Sequence, residues 1–177
     1  MADPGRDLLR RFVDGDASAF EALFREFSPE VFRWIVRILR DRDAAEDALV
    51  ETFWRAHRGR ARFDPARSFG AWMRRIGTHV AVDALKRRRK RREEQIGDDR
   101  FTAPPAADPH VANAIARAVA SLPPKLQAVA MLALVDEQPY AEIADALGVP
   151  IGTVKSRVFR ATRALREQLM RAGVRPR

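Results

Sequence analysis

The chain has 177 residues, of which 33 are Lys or Arg and 24 are Asp or Glu, giving a formal net charge of +9. Because it contains no cysteine, a disulfide scaffold, thiol catalysis and thiolate metal sites are excluded, and three histidines give little support to a histidine metal centre. A hydrophobic share of 46% suffices for compact cores, and the length allows one ordinary domain or two small ones.

The first predicted elements are helices. Between Ala19 and Leu39, apolar residues recur at steps of three and four, which predicts a helix with a bend near Pro29. A second helix is predicted over residues 43–57, with Asp41 or Asp43 as its N-cap. Gly, Asp-Pro and Ser in residues 59–68 predict a loop.

A third helix is predicted from Phe69 into the basic run 86–92, which reads KRRRKRR. The positive charge is concentrated here, because residues 1–54 have a net charge of −4, residues 55–92 of +12 and residues 93–177 of +1. Such a run is most often a solvated helix end, but its attachment to an apolar-patterned helix gives it a fixed place on a folded surface. This stretch therefore indicates an anionic partner.

The segment that follows is polar, contains several prolines and has few apolar residues. We predict an extended, flexible linker over residues 95–112 between a first domain, 1–94, and a second domain, 113–177. Helical patterning returns near Val111 and breaks at Pro123-Pro124. Because no segment alternates polar and apolar residues with period two, the chain is predicted to be all-α, with two small helical domains.

The most informative pattern lies near the carboxyl end. Residues 140–147 predict a short amphipathic helix, Gly148 a turn with positive φ, and a second helix begins near Pro150 or Ile151. Val154, Val158, Ala161 and Leu165 share one face of that helix, and polar and basic residues occupy the opposite face. This layout is typical of a helix-turn-helix whose second helix enters the major groove. An ordinary helical hairpin with a basic outer face is the alternative interpretation.

Residues 141–157, AEIADALGVPIGTVKSR, resemble the fourth conserved region of bacterial sigma factors of the short extracytoplasmic-function (ECF) type, and 122–127, LPPKLQ, resemble the start of that domain. Response-regulator output domains have a similar helix-turn-helix, so this region alone does not identify the family. The first half of the chain distinguishes the two. Residues 45–53, AEDALVETF, resemble the family's polymerase-binding helix. Residues 69–76, FGAWMRRI, with Asp83 and the basic run, resemble its promoter −10 region.

The resemblance implies an alternative sigma factor that binds core RNA polymerase and directs promoter-specific initiation through −10 and −35 recognition and −10 strand opening. It implies no catalysis and no cofactor, a monomer when free, and an anti-sigma factor as a further partner. No segment approaches about 18 uninterrupted apolar residues, and the start lacks the basic-then-apolar order of a signal peptide. We therefore expect a bacterial cytoplasmic protein without membrane insertion.

The resemblance also assigns site residues. Implied −35 contacts are Thr153, Lys155, Ser156, Arg157, Arg160 and Arg163. Implied −10 contacts are Arg62, Phe63, Asp64, Phe69, Trp72, Arg74, Arg75, His79, Lys86, Arg87 and Arg88. Implied polymerase contacts are Asp43, Glu46, Asp47, Leu49, Val50, Glu51, Phe53 and Trp54. The chemistry fits, because unstacked bases need aromatic pockets and a cationic groove, and an acidic rim around apolar side chains suits protein docking.

Several of these assignments leave alternatives open. Phe69 and Trp72 have the spacing of helix core residues, so packing and base contact are both compatible with the pattern. Leu49 and Phe53 can equally be core residues beside solvated acids. Three positions depart from the family pattern, which commonly has Gln at Val50, Asn at His79 and Ser at Pro150.

Two other function classes are compatible with parts of the pattern. A dimeric helix-turn-helix regulator would bind duplex operators without polymerase and would not bind single-stranded −10 DNA. A nucleic-acid enzyme would need clustered carboxylates or a metal site, but Asp64 and Asp83 are the only acids in residues 55–92. The sequence therefore favours a sigma factor.

Overall fold

The computed structural model describes residues 4–94 and 109–174, and the regular elements in these ranges are helical. This confirms the predicted all-α fold of two small domains. The amino-terminal domain contains α1 (Arg6–Val13), α2 (Ala17–Leu39), α3 (Arg42–Gly59), a 3-10 turn (Arg60–Arg62) and α4 (Phe69–Glu94). The carboxy-terminal domain contains α5 (Pro109–Ser121), α6 (Pro124–Ala130), a π-helical turn (Met131–Val135), α7 (Tyr140–Leu147) and α8 (Ile151–Arg171).

The predicted helices form close to the expected bounds. α3 follows Asp41, whose carboxylate accepts a hydrogen bond from the N–H of Ala44 at 3.0 Å, as expected for an N-cap. α2 continues through Pro29, and α4 begins at Phe69 and carries the basic run. α1 lies outside the predicted elements and contributes Leu9 and Phe12 to the core.

Most of the predicted linker, 95–112, lies outside the described residues, so its flexibility and the domain boundaries at 94 and 113 stay predictions. Residues 109–112 already belong to α5, which begins two residues before the expected return of helical pattern near 111. None of the helices in the described ranges is long and apolar enough to cross a membrane.

The amino-terminal core is formed where α2, α3 and α4 pack against one another. Phe27, Ile35 and Met73 are fully buried there. The buried indole of Trp34 donates a hydrogen bond from Nε1 to Oγ1 of Thr78 at 2.8 Å, so both polar groups are satisfied inside the apolar core. This bond fixes the middle of α4 against α2.

α4 is covered on two sides, because the two domains pack directly against each other. Val80 and Val82 are separated by about 200° around the helix axis, yet both are buried. One side of α4 faces α2 and α3, and the other faces α6 and α7 of the second domain. The apolar core is therefore continuous from one domain to the other.

Candidate functional site

The turn between α7 and α8 has the geometry of a helix-turn-helix. Gly148 ends α7 with φ 63°, a conformation that costs glycine little because it has no Cβ. The N–H of Val149 donates to the carbonyl of Ala144 at 3.0 Å, which closes the end of α7. Pro150 provides no side-chain cap for α8, and its carbonyl instead accepts from the N–H of Thr153 at 2.8 Å.

α8 separates an apolar face from a polar one, as predicted. Val154, Val158 and Ala161 are buried, and the predicted −35 residues lie on the outer side. Lys155, Ser156, Arg160 and Arg163 are exposed, whereas Thr153 and Arg157 are half-buried. The polar and basic side chains are thus available to a groove of DNA over about three turns of helix.

Phe159 on α8 is an exposed aromatic residue that the sequence prediction missed. Its side chain is 70% exposed, and the i±4 spacing places it beside Lys155 and Arg163. The sequence could have indicated this exposed position, because Phe159 lies outside the apolar face formed by residues 154, 158, 161 and 165. It belongs to the same outer surface as the predicted −35 residues.

The aromatic residues assigned to the −10 element form one cluster. The ring centroid of Phe63 lies 5.5 Å from Phe69 and 4.7 Å from Trp72, and Phe12 and Phe27 also pack on Phe69. Phe69 is 1% exposed and Phe63 is buried as well, whereas Trp72 is half-buried. This geometry favours packing over base contact for Phe69 and Phe63 and leaves part of Trp72 accessible.

Next to this cluster lies an open cleft of about 590 Å³, formed by the loop after the 3-10 turn and by the first turns of α4. Its walls include Trp72 and the arginines Arg62, Arg67 and Arg75. The carboxylate of Asp64 accepts a hydrogen bond from the N–H of Ala66 at 2.9 Å, which holds the loop in a turn. The cleft combines an aromatic ring with guanidinium groups, the pairing expected where single-stranded nucleic acid binds.

The remaining basic −10 candidates differ in how far they are engaged within the protein. Arg74 donates to a carboxylate oxygen of Glu30 at 2.7 Å, and an oxygen of Asp41 lies 3.8 Å from Nη1 of Arg88. Lys86, Arg87 and His79 are exposed, with Lys86 paired to Asp83. The structure therefore ties Arg74 and Arg88 to the domain and leaves Arg87 at the surface.

The predicted polymerase-binding residues divide into surface and core. Val50 is 67% exposed and Trp54 52%, whereas Phe53 is buried and Leu49 half-buried. Of the acids, Asp43, Glu46 and Asp47 are exposed. Phe24 of α2, which was not predicted, is partly exposed and lies 4.7 Å from Phe53 between ring centroids. An apolar surface rimmed by acids results, supported from beneath by Phe53.

Glu51 is held by a network that ties α3 to α4. Its carboxylate accepts from Nε of Arg55 at 2.6 Å, which raises the pKa of that guanidinium. Arg55 also reaches Asp83, which pairs with Lys86 at 2.9 Å. Burial alone would raise the pKa of Asp83, but the hydrogen bonds and charges of Lys86 and Arg55 outweigh it and hold the pKa below its ordinary value. Glu51 therefore has a structural role in addition to its predicted one.

Two family profiles match the chain in the order of these sites. Residues 23–91 match Sigma-70 region 2, and residues 112–165 match Sigma-70, region 4. The ECF RNA polymerase sigma factor SigM of Mycobacterium tuberculosis is 35% identical over 157 residues, which make up 88% of this chain and 79% of SigM. The chain belongs to the ECF sigma factors of the sigma-70 family.

Further comparisons agree with this assignment. The ECF sigma factor SigE of Mycolicibacterium smegmatis is 32% identical over 167 residues, which make up 88% of this chain and 64% of SigE. The structure of CnrH in complex with the cytosolic domain of CnrY has the same fold, with a TM-score of 0.59 at 24% identity, over 93% of this chain and 96% of CnrH. This ECF sigma factor is accordingly an alternative sigma factor for promoter-specific transcription initiation. A simple operator-binding regulator would leave the match to region 2 without explanation.

Proposed function

We propose that this ECF sigma factor binds core RNA polymerase through the exposed surface of α3, recognises the −35 element with α8, and opens the −10 element on the cleft beside Trp72. The observation that carries the proposal is that these three surfaces lie on different elements, each with the chemistry that its partner requires. The recognition helix exposes basic side chains, α3 exposes apolar side chains among acids, and the cleft exposes an aromatic ring among arginines.

Docking on polymerase is assigned to Val50 and Trp54. Apolar side chains that are this exposed on an otherwise well-packed domain indicate a protein partner, and a charged rim gives such a surface its specificity. The guanidinium of Arg58 lies 4.4 Å from the centre of the Trp54 ring, so the indole is held in place before binding. Preorganisation of this kind lowers the entropy cost of association.

We assign direct contacts with −10 DNA to fewer residues than the family resemblance implied. We assign base stacking to Trp72, phosphate contacts to Arg62, Arg75, Lys86 and Arg87, and a supporting role to the buried Phe63 and Phe69. A flipped base gains about 1–3 kcal/mol from stacking on an aromatic side chain, and each phosphate contact steepens the dependence of binding on salt. The exposed His79, whose Nδ1 lies 2.7 Å from the carbonyl of Arg75, is positioned on the same helix for a base or backbone contact.

An anti-sigma factor is the proposed regulatory partner. The sigma factor RpoE of Bartonella quintana, crystallised with the anti-sigma factor NepR, has the same fold, with a TM-score of 0.56 at 21% identity over 85% of this chain and 96% of RpoE. We expect affinity capture of the full chain from its own cells to recover one stoichiometric protein that competes with core polymerase. Recovery of core polymerase subunits alone would contradict this part of the proposal.

Two tryptophan variants separate the proposed roles. With core polymerase, Trp54→Ala should weaken binding by roughly 2 kcal/mol, about 30-fold in Kd, because it removes an apolar anchor of the docking surface. Trp72→Ala should bind core polymerase normally but leave −10 thymines less reactive to permanganate. Core affinity is measured by fluorescence anisotropy and opening by the footprint. Normal opening by Trp72→Ala, or normal core binding by Trp54→Ala, would contradict the corresponding assignment.

A further inference from the structure

A second cleft, of about 370 Å³, lies between the first half of α3 and the second half of α4. Its floor is apolar, because the buried side chains of Ala48, Val80 and Leu85 line it. Charges of opposite sign stand on its two sides, since the acidic residues of the lining cap or belong to α3 and the arginines belong to α4. Its volume lies in the range of about 300–1,000 Å³ that is typical of small-molecule sites.

Arg87 and Arg91 are the arginines of this cleft that are available to a ligand. Both are exposed and lie one turn apart on the same face of α4. The neighbouring Arg89 and Lys90 pair with glutamates one turn further along the helix and do not line the cleft. Arg87 and Arg91 have no such carboxylate partner within residues 4–94 and 109–174. Like charges at this spacing destabilise a helix, so an anion bound to both arginines would stabilise this end of α4.

Asp47 is the acid of the cleft that a ligand can reach. The carboxylate of Asp41 caps α3, and that of Glu51 accepts a hydrogen bond from Arg55. Asp47, in contrast, is exposed and forms no ion pair with the residues that the structure describes. The cleft thus keeps a carboxylate without a counter-ion apart from two guanidiniums without one. A ligand that carries both an anionic group and N–H donors would satisfy the two sides at once.

Each side of the cleft selects a different chemical group. Two guanidiniums one turn apart bind phosphate oxygens through charge-assisted hydrogen bonds, and a diphosphate has oxygens for both. A carboxylate only accepts hydrogen bonds, and guanine is the nucleobase that places two N–H donors side by side, at N1 and N2. Adenine presents a donor beside an acceptor nitrogen, which a carboxylate repels. The apolar floor supports the flat face of a base, as in sites that hold a base outside its stack.

Promoter DNA fits this cleft less well than a nucleotide does. A DNA strand carries a negative charge at every phosphate, and the carboxylates of Asp41, Asp47 and Glu51 would repel it along the α3 side. A nucleotide carries its negative groups at one end only. We therefore propose that the cleft is a binding site for a guanine nucleoside diphosphate, with the phosphates on Arg87 and Arg91 and the base edge on Asp47.

The test variants change one side of the cleft at a time. Arg91 has no assigned contact with promoter DNA, unlike Arg87, so Arg91→Ala tests the phosphate side by itself. Arg89→Ala is its matched control, because it removes the same charge from an arginine outside the cleft. Asp47→Asn tests the base side, because it keeps the shape of the side chain and replaces one acceptor by an N–H donor. Asp43→Asn, at an exposed position of α3 outside the cleft, is its control.

Isothermal titration of the full chain with GDP, ADP and inorganic pyrophosphate measures the affinities without polymerase or DNA, so the result does not depend on the proposed promoter contacts. GDP should bind at one site per chain and roughly tenfold more tightly than ADP or pyrophosphate, which lack the paired donors. Arg91→Ala should weaken GDP binding roughly tenfold, through the loss of hydrogen bonds to a charged group, and Arg89→Ala should not change it. Asp47→Asn should bind GDP as weakly as ADP and keep its affinity for pyrophosphate, whereas Asp43→Asn should keep the preference for GDP.

Several results would overturn the site. No binding of GDP at about 1 mM would exclude it at cellular nucleotide concentrations. Equal affinities for GDP and ADP, or for GDP and pyrophosphate, would contradict recognition of the guanine edge. Equal losses of GDP affinity in Arg91→Ala and Arg89→Ala would show unspecific attraction to the basic run. Displacement of GDP by a short DNA duplex at the same phosphate concentration would show that the cleft binds the DNA backbone instead.

Discussion

Trp72 and Phe69 lie three residues apart on α4 but have different surroundings. Phe69 is packed on Phe12, Phe27 and Phe63, and Trp72 keeps part of its ring at the −10 cleft. Spacing alone cannot predict which of the two rings is fully buried, because both positions fit the apolar face of a helix. Phe12 of α1 packs on both rings, at 5.6 Å from Phe69 and 6.3 Å from Trp72, whereas Phe27 of α2 packs on Phe69 at 5.0 Å. Both partners are remote from α4 in sequence.

Stability should therefore respond strongly to Phe69. Phe69→Ala is expected to lower the free energy of unfolding by about 3–5 kcal/mol, because it leaves a cavity among close-packed rings. Urea denaturation followed by circular dichroism measures the change. Phe159→Ala is the matched control, since that ring is exposed, and should change stability by no more than about 0.5 kcal/mol. Equal effects of the two substitutions would contradict the assigned burial.

Promoter recognition should respond to the arginines of α8. Arg157→Ala or Arg160→Ala is expected to weaken −35 binding by roughly 1–3 kcal/mol, because each loses a base-edge or phosphate contact. Competition between promoters with intact and mutated −35 elements measures the effect in the polymerase complex. Arg117→Ala, at an exposed position of α5 in the same domain, is the control. Unchanged promoter selection by both test variants would refute the assignment.

At the scale of elements, α3 and α4 are joined by the Glu51–Arg55–Asp83–Lys86 network, which makes their packing sensitive to acid. Because the pKa of Asp83 is lowered in the folded state, its contribution to stability is complete above the pKa of the unfolded chain, near 4, and is lost as the pH falls through the lower, folded value. We expect Asp83→Asn to be less stable than the unmodified chain between pH 7 and 5.

Thermal unfolding over a pH series checks this prediction. The difference in stability between the two proteins should shrink as the pH falls below about 4, and it should vanish below the lowered pKa of the folded state, where both carry a neutral side chain at position 83. Glu26→Gln, at an exposed position of α2, controls for the loss of one negative charge. A difference that grows toward acid pH would show that the carboxylate is not stabilised by folding.

The α7–α8 turn depends on Gly148. Gly148→Ala should cost about 1–2 kcal/mol of stability, because its φ of 63° places the Cβ atom of an L-residue too close to the following carbonyl. Gly152→Ala is the matched control, since a Cβ atom at this position in α8 meets open space, and it should be neutral or stabilising. Chemical denaturation measures both. A neutral Gly148→Ala would contradict the assigned turn.

Local signals explain which elements could be predicted from the sequence. Asp41, Gly148 and the steps of three and four along α8 each report on neighbours within one or two turns of chain, and the structure has these elements where they were expected. α1 is short, with two fully buried residues, and its packing on α4 depends on contacts distant in sequence. The burial of Phe63 and Phe69 likewise depends on contacts that are distant in sequence.

At the scale of the molecule, the net charge of +12 in residues 55–92 overstates the free basic surface. Arg55 and Arg74 bind carboxylates within the amino-terminal domain, and Arg75 lies against the second domain. One feature of the sequence points to the contact between the domains: Val82 is apolar and buried, two positions after the buried Val80. A helix that buries only one face does not need an apolar residue at that spacing. Which element covers that second face could not be predicted, because a linker of unspecified path separates the partners in sequence.

The most direct test of the central claim is transcription by core RNA polymerase with and without the purified protein. Fragmented DNA from the source genome is the template, and the 5′ ends of the transcripts are mapped. We predict new start sites that depend on the protein and that share −10 and −35 sequences at a constant spacing. Unchanged start sites, in a preparation that is folded by circular dichroism, would contradict the assignment of this chain as a promoter-specificity factor.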